Sequence, residues 1–582
     1  MTQQTVNSNS VQPLGEPNSG TSVEMGDTWQ QAVTKINANF TEIYAGSYSP
    51  SITLGPGAGS VASNTALGLT ALAANTTGAR NTAVGATALN ANTTGVDNTG
   101  VGDAALLLAT VGTGNTAIGS LSMDALTTGN NNTAVGLNSL GAVTTGINNT
   151  AVGKDALLAA VSTVANTAVG YKALAAATTG DQNTAVGTNA LLTSTIGARN
   201  TAIGNGALTL ATTGNDCVAV GHLALAAATT AVNNTAVGSL ALTAAVSTIA
   251  NTAVGYKALT AATTGDQNTA VGTNALLTST IGARNTAVGN GSLTLSTTGN
   301  DCTAVGHLAL AAATTAVNNT AVGSLALNAA VSTVGNTAVG YSALKVAVGT
   351  GDHCTAVGLN SQILNTVGAR NTSVGANSLV ALTTGTDNVA VGGHGTAASA
   401  ALAAVTTGVQ NTAIGVLAGN TITTGTDNTF IGYNAQASSA TVQHEVDIGS
   451  TSVTIIRAQV TSITGYSDGR DKTDIRDLPV GLDFITKLRP RTYRWDRREM
   501  YDDGKPTGIH AEPHINVGFV AQEVQAAAEA CGADDLGFFE DTAVLDGHPK
   551  MAINIGRMVP ALVNAVQELA AKNAALEARL GA

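Results

Sequence analysis

The stretch "GYSDGRDKTDI", residues 465–475, concentrates side chains that could do chemistry. It places a serine, two aspartates, an arginine and a lysine within six residues, after a long region that carries few charges. A serine hydroxyl attacks a carbonyl group only when a base takes its proton, and a lysine amine serves as that base only when it is neutral. Two residues five apart on a helix would point about 140° away from each other. Taken by itself, the spacing indicates no more than a solvated turn.

The composition restricts the kind of body that can carry this stretch. Of 582 residues, 3% are aromatic, 10% are charged and 67 are glycine, so a core must come from Ala, Val, Leu and Ile in a thin, regular structure. A net charge of −12 without a central Lys/Arg cluster argues against nucleic acid as a partner. The sequence shows no signal peptide, no apolar run long enough for membrane insertion and no disulfide framework. We therefore expect a protein made in a cytosol, without a cofactor or a metal site.

The central region repeats the pattern "NTAVGxxALxxxTTGxx". Its glycines recur every 17 residues from Gly68 to Gly340 and, after a one-residue slip and a six-residue insertion, end at Gly432, which makes 22 coils. A short fixed period is typical of a solenoid whose units bury their apolar sides on their neighbours. T-A-V-G alternates like a short strand, the A-L pair fits a second strand, and the glycine fits the corner between them. The repeat predicts stacked parallel β-coils.

An asparagine stands four residues before each corner glycine, from Asn64 to Asn428. Stacked coils would bring these side chains about 4.8 Å apart, which predicts a ladder of amide hydrogen bonds. Three cysteines interrupt the ladder: Cys217, Cys302 and Cys354. We expect buried free thiols there, with metal ligation as the alternative. His222 and His307 each follow a corner glycine and lie 85 residues apart, so they are interpreted as copies of one surface residue.

The repeat resembles the head domains of trimeric autotransporter adhesins, left-handed parallel β-rolls built from a comparable "S-x-A-I-G-x-x-A" unit, and the repeat regions of phage tail fibres. The resemblance covers residues 55–435. A coil with so few apolar residues has a thin core, and burying one flank against two other copies would remedy this. We therefore expect a homotrimer.

The N-terminal segment contains an amphipathic pattern. Its apolar residues are spaced by four and three: Trp29, Val33, Ile36, Phe40 and Ile43. This spacing predicts a helix. The helix resembles those at the starts of phage tail-fibre proteins, which dock on the tail or baseplate; alternatively, it only seals the end of the solenoid.

The C-terminal segment contains a heptad pattern, which predicts a trimeric coiled coil. The spacing of four and three begins at Ile555 and Val559, and Asn573 is expected to fix the register of the seam. The predicted seam residues of the coiled coil are Leu562, Val566, Leu569, Asn573, Leu576 and Leu580.

Residues 467–582 resemble the self-cleaving intramolecular chaperone at the C-termini of phage endosialidases, tail fibres and neck appendages, which also occurs in some membrane-bound transcription factors of animals. Four blocks carry the resemblance in order: "SDGRDKTDI", "LDFITKLRPRTYRW", "GFVAQEVQ" and "LVNAVQELAAKNAALEARL". The chain departs from this pattern by the insertion "MYDDGKPTGIHAEPHI" between the second and third blocks. The resemblance implies a small α+β domain that ends in the coiled coil.

The resemblance also implies the roles of individual residues. Ser467 would be the nucleophile and Lys472 the base of an autocatalytic serine endopeptidase that cuts between Tyr466 and Ser467. Asp468 and Arg470 would position the pair, and the positive charge of Arg470 would help to keep the lysine neutral. Because of their spacing, the serine and the lysine must meet in a turn around Gly469 or across two chains of the trimer.

Together these features predict a mainly β, elongated homotrimer in four segments. Residues 1–46 form an attachment segment, 47–440 a β-repeat rod, 441–466 a neck, and 467–582 the self-cleaving chaperone. The favoured function is a phage tail fibre or host-recognition appendage that binds a bacterial surface receptor, belongs to the virion and is assembled in the host cytoplasm.

Other functions are open at this point. A bacterial trimeric surface adhesin would need a secretion signal and an outer-membrane anchor. A polysaccharide-degrading tail spike would need carboxylate pairs and aromatic platforms, yet residues 51–440 contain neither Glu nor Trp. Ice binding by threonine-rich faces would leave the terminal segments without a purpose.

Overall fold

The computed structural model describes residues 52–347, 351–450, 452–453, 469–496, 501, 505–545 and 548–581. The chain divides after Asn420 into two compact units. The predicted N-terminal helix lies outside the described residues. Among the described helices, none has both the length and the apolar character that crossing a membrane requires.

The first unit is a parallel β-solenoid, as the repeat predicts. Strand β1 (Ile52–Gly55) pairs antiparallel with β2. From β2 onward each strand pairs in parallel with the next, with Ala opposite Ala in most coils. The parallel strands of this unit are β2 Thr65–Leu69, β3 Thr82–Val84, β4 Thr99–Val101, β5 Thr116–Ile118, β6 Thr133–Val135, β7 Thr150–Val152, β8 Thr167–Val169, β9 Thr184–Val186, β10 Thr201–Ile203, β11 Val218–Val220, β12 Thr235–Val237, β13 Thr252–Val254, β14 Thr269–Val271, β15 Thr286–Val288, β16 Thr303–Val305, β17 Thr320–Val322, β18 Thr337–Val339, β19 Thr355–Val357, β20 Thr372–Val374, β21 Val389–Val391 and β22 Thr412–Ile414.

The alternation inside each strand decides which residue enters the core. In β3 the side chain of Ala83 is fully buried, whereas Thr82 and Val84 are partly exposed on the other face. Most coils add an Ala-Leu pair to this core, as Ala88 and Leu89 do in the same coil. The core is therefore a narrow column of small aliphatic side chains.

The predicted second strand at the A-L pair is wrong. Ala88 and Leu89 lie in turns, and the backbones of Thr87 and Leu89 are left-handed, with φ of 55° and 51°. A strand would send the Ala and Leu side chains to opposite faces, whereas both are fully buried here. The turn keeps the stacking hydrogen bonds, since the Leu89 N–H donates to the Ala105 carbonyl at 2.9 Å.

The corner glycines are required by both conformation and space. Gly187 has φ of 132°, and a Cβ added there would lie 2.6 Å from the carbonyl oxygen of Gly204 in the next coil. At the second glycine of the repeat, which Thr163 and Ala231 replace in other coils, the restriction comes from space alone. At Gly78, an added Cβ would lie 2.3 Å from the Gly95 oxygen.

The asparagine ladder is present, with more kinds of hydrogen bond than predicted. Asn132 donates from Nδ2 to Asn115 Oδ1 at 3.1 Å and to the Gly146 carbonyl at 2.7 Å. Its own Oδ1 accepts the backbone N–H of Asn149 at 3.0 Å. The ladder thus joins each coil to the next through side-chain and main-chain groups, and Asn132 is fully buried.

The three cysteines occupy ladder positions as buried free thiols, as predicted. The Cys217 N–H donates to Asn200 Oδ1 at 3.0 Å, and its Sγ donates to the Ala231 carbonyl at 3.4 Å. Burial raises the pKa of the Cys217 thiol, which keeps it protonated and unreactive. Across the described ranges, His, Cys, Asp and Glu side chains form no group of three that could hold a metal ion.

The second unit begins with two more coil strands. In it, β23 (Thr429–Ile431) pairs in parallel with β24 (Val446–Ile448). The sequence analysis missed the second of these coils because Asp447 stands where other coils have the core alanine. Asp447 Oδ2 accepts the backbone N–H of Gln436 at 2.9 Å, which compensates for the carboxylate in this position.

A small α+β domain follows in the same unit. Its described residues contain two antiparallel strand pairs and three α-helices. In chain order its elements are α1 Leu482–Lys487, β25 Arg491–Tyr493, β26 Asn516–Gly518, α2 Ala521–Glu529, β27 Phe539–Leu545, β28 His548–Ile553 and α3 Ile555–Leu580. The predicted heptad residues all lie on α3.

Candidate functional site

The charged stretch at residues 465–475 is only partly described by the structure. Tyr466, Ser467 and Asp468 lie outside the described residues, so the serine–lysine pair stays a prediction. A 3-10 turn spans Gly469–Asp471, where a turn is expected, and the Lys472 N–H donates to the Gly469 carbonyl at 3.4 Å. The side chains of Arg470 and Lys472 are exposed in the single chain.

The domain that follows this turn is organised around two stacked phenyl rings. Phe484 of α1 and Phe538 lie with ring centroids 4.6 Å apart and planes inclined by 17°. Val524 of α2 and Met558 of α3 join the same buried cluster, so all three helices converge on this pair. Aromatic pairs of this kind add about 0.5–1.5 kcal/mol beyond their area burial. The cluster gives the domain a core of its own.

Helix α3 holds the segment that leads from Lys472 into α1. Asn564 donates from Nδ2 to the carbonyls of Leu478 at 3.1 Å and Val480 at 2.9 Å. One turn later Glu568 accepts the backbone N–H of Leu482 at 3.1 Å. The sequence analysis missed both anchors. The sequence feature that could have revealed them is a pair of polar residues four positions apart, beside the apolar seam of the same helix.

An ion pair joins the second and third sequence blocks. Arg491 of β25 donates from Nε to Glu523 Oε2 of α2 at 3.0 Å, and Arg489 Nη1 lies 3.6 Å from Glu523 Oε1. The hydrogen bond from Arg491 holds the pKa of the Glu523 carboxyl below its ordinary value. Because both side chains are partly exposed to solvent, the contribution of the pair to stability is modest. The pair links β25 to α2.

Helix α3 presents an unpaired apolar row to solvent. The exposed members are Ile555, Val559, Leu562, Val566, Leu569, Leu576 and Leu580. The N-terminal part of the row continues into an apolar groove of about 310 Å³, lined by Ile485, Leu488, Pro490, Phe519, Ile555, Met558, Val559 and Leu562. Exposed apolar patches of this kind mark interaction surfaces. The coiled coil and the trimer stay predictions.

Residues 467–533 match the family described as chaperone of endosialidase. The match begins at Ser467 and includes Lys472, α1 and α2. No curated protein and no solved structure matches the chain. The chain therefore combines a long parallel β-solenoid with a chaperone domain of a self-cleaving family, an arrangement that fits a tail fibre or tail spike.

Proposed function

We propose that this protein is a homotrimeric phage tail fibre or host-recognition appendage whose C-terminal domain drives assembly and then cuts itself off. The observation that supports this proposal is the family match, which begins at Ser467 and follows a parallel solenoid of near-identical coils in the chain. A chaperone placed after such a solenoid has an evident task, because the repeats can pair in the wrong register.

Near-identical repeats favour register errors during folding. The segment "VSTVANTAVGYKAL" at 161 recurs almost unchanged at 246 and 331, so a slip of 85 residues would restore most contacts. Non-local β pairing is slow and prone to kinetic traps. A C-terminal domain that joins three chains first would align them before the coils stack. Its later removal would leave a kinetically trapped product.

The proposed cut is an acyl transfer followed by hydrolysis. The Ser467 hydroxyl attacks the Tyr466 carbonyl carbon while the Lys472 amine takes the hydroxyl proton. The Tyr466–Ser467 peptide bond breaks, its nitrogen leaves as the amine of Ser467, and an ester joins the two residues. Water then hydrolyses the ester. Because Lys472 is exposed in the single chain and a lysine acts as a base only when its amine is neutral, we expect assembly to shield it before cleavage.

The self-cleavage test uses the full-length chain. The wild type is expected to release a fragment of 116 residues that begins at Ser467, without added protease. Ser467→Ala and Lys472→Ala should slow release by at least roughly 10²-fold, since they remove the nucleophile and its base, while the chains still form trimers. Lys505→Ala, a change of an exposed loop lysine in the same domain, is the control. Normal release from Lys472→Ala, followed by gel electrophoresis and mass spectrometry, would exclude lysine from the mechanism.

The fibre role is tested separately. Purified, cleaved trimer should adsorb to a bacterial surface and block attachment of the phage, while the surface polysaccharide stays intact. Release of oligosaccharide fragments would favour the tail-spike enzyme instead.

A further inference from the structure

All tyrosines of the repeat region stand at one repeat position. Between residues 51 and 440 they are Tyr171, Tyr256, Tyr341 and Tyr433, and each directly follows a corner glycine. Their exposed fractions are 43%, 47%, 52% and 67%. The remaining Phe, Tyr or Trp residue of this range, Phe430, is fully buried. A region so poor in aromatic residues therefore displays its tyrosines where they meet solvent.

Three of these tyrosines form a regular array in the first unit. Tyr171, Tyr256 and Tyr341 are separated by 85 residues, or five coils, which corresponds to roughly 24 Å at the rise between β-strands. Each has the same main-chain anchor. The carbonyl of Tyr171 accepts the N–H of Asn189 in the next coil at 3.0 Å, and Asn274 and Asn360 repeat this contact at Tyr256 and Tyr341. The rings are thus carried on a rigid, repeated backbone.

The coils between the tyrosines present polar side chains at the same position. The set comprises Thr188, Asn205, His222 and Ser239, and then Thr273, Asn290, His307 and Ser324. The threonines, asparagines and histidines are exposed, and the serines are partly buried. Lys172 Nζ lies 5.3 Å from the Tyr171 ring centroid, and Lys257 Nζ lies 5.2 Å from that of Tyr256. We call the column from Tyr171 to Tyr341 the tyrosine ridge.

We infer that the tyrosine ridge binds a surface polysaccharide, with a sugar ring stacked on each tyrosine. A tyrosine offers an apolar ring face and a hydroxyl, which suits the C–H face and the hydroxyl groups of a sugar. The hydroxyl, amide and imidazole groups between the rings both donate and accept hydrogen bonds. A protein partner would favour an interface core enriched in aromatic and apolar residues. Here, four coils with a polar residue at the tyrosine position separate successive rings. Equal spacing suits a polymer that repeats.

This inference rests on the proposed function, since it names the ligand class of the same fibre. The test compares cleaved trimers on an array of purified bacterial capsular polysaccharides and lipopolysaccharide O-chains. Tyr171→Ala/Tyr256→Ala/Tyr341→Ala should lose at least about 100-fold in affinity for a polysaccharide that the wild type binds, because three linked contacts act together. Replacing the same three tyrosines by Phe keeps the rings and should keep most of the affinity.

A matched control changes another repeated surface residue. Ile196 and Ile281 also lie 85 residues apart and are each 55% exposed, at a different position of the repeat. Ile196→Ala/Ile281→Ala should bind like the wild type. Light scattering on every variant separates loss of binding from loss of the trimer.

Four results would overturn the inference. Full affinity in the triple Ala variant would show that the rings do not bind the polysaccharide. Loss of the trimer in that variant would place the ridge between copies of the chain. Adsorption that disappears when the bacteria are treated with protease, without binding to any polysaccharide, would point to a protein receptor and leave the fibre role intact. A wild type that adsorbs to neither cells nor polysaccharide would remove the fibre role itself.

Discussion

At the scale of single residues, the solenoid depends on glycine at the corner of each coil. At Gly187 two independent constraints coincide, a φ of 132° and a neighbouring carbonyl oxygen 2.6 Å from where a Cβ would lie. The neighbour is Gly204 at the same position of the next coil. Because the coils stack in register, the same restriction recurs along the repeat. A side chain at one corner would clash with the backbone of the next coil.

Gly187→Ala is therefore expected to destabilise the solenoid by roughly 1–3 kcal/mol, since the backbone must move or keep a strained conformation. The matched control is Gly141→Ala. Gly141 lies outside the left-handed region, and its added Cβ would approach no atom closer than 3.3 Å. Thermal unfolding of the purified variants measures both effects. Equal melting temperatures for Gly187→Ala and the wild type would contradict the steric argument.

At the scale of elements, α3 has two tasks in the C-terminal domain. One side contributes Met558 and Ala561 to the buried cluster, and Asn564 and Glu568 hold residues 478–482. The apolar row of the same helix faces solvent. The segment held by Asn564 begins six residues after Lys472. Folding of the helix and placement of the lysine are therefore coupled through a few hydrogen bonds.

Asn564→Ala should slow self-cleavage, because it leaves the carbonyls of Leu478 and Val480 without these partners at a cost of about 1–3 kcal/mol. Gln567→Ala changes an exposed residue of the same helix and should cleave at the wild-type rate. Fragment release over time after synthesis provides the measurement. Equal rates for the two variants would mean that this anchor has no role in placing Lys472.

At the scale of the whole molecule, folding must pair each coil with the correct neighbour, in the correct register. One coil offers an internal marker, since Gln362 stands where neighbouring coils have Leu344 and Leu379. Its buried amide donates to Ser373 Oγ at 2.8 Å and to the Thr355 carbonyl at 3.0 Å. A slip by one coil would place this amide against leucine and leave it unpaired, at a cost of about 1–3 kcal/mol. Alignment between chains must come from elsewhere, and the seam of α3 is the candidate.

The seam predicts a contrast between two neighbouring valines. Val566 belongs to the heptad row and is 58% exposed in the single chain, whereas Val563 lies off the row and is 51% exposed. Val566→Asp would bury three charges in a trimeric seam, and an uncompensated buried charge costs about 3–5 kcal/mol. We expect this variant to lose the trimer and fragment release, while Val563→Asp keeps both. Analytical ultracentrifugation measures the oligomeric state of both variants. A Val566→Asp variant that forms a trimer as the wild type is expected to do would refute the predicted seam.

The sequence by itself determined the features that depend on a residue and its copy 17 positions away. These include the parallel strands with their alternating faces, the corner glycines, the asparagine ladder and the buried thiols at Cys217, Cys302 and Cys354. A fixed period makes such contacts local, because each coil meets a known neighbour. The chaperone blocks were also recognisable from the sequence, and residues 467–533 match the corresponding family.

Only the tertiary structure decided features in which packing overrides the local pattern. The Ala-Leu pair is not a strand, because burying both Ala88 and Leu89 requires left-handed turns. The coil that contains Asp447 was not predicted from the sequence. A hydrogen bond from the Gln436 backbone N–H to the Asp447 carboxylate replaces apolar packing there. The contacts of Asn564 join residues 84 and 86 positions apart. No period or propensity relates such residues, since the docking of a whole helix brings them together.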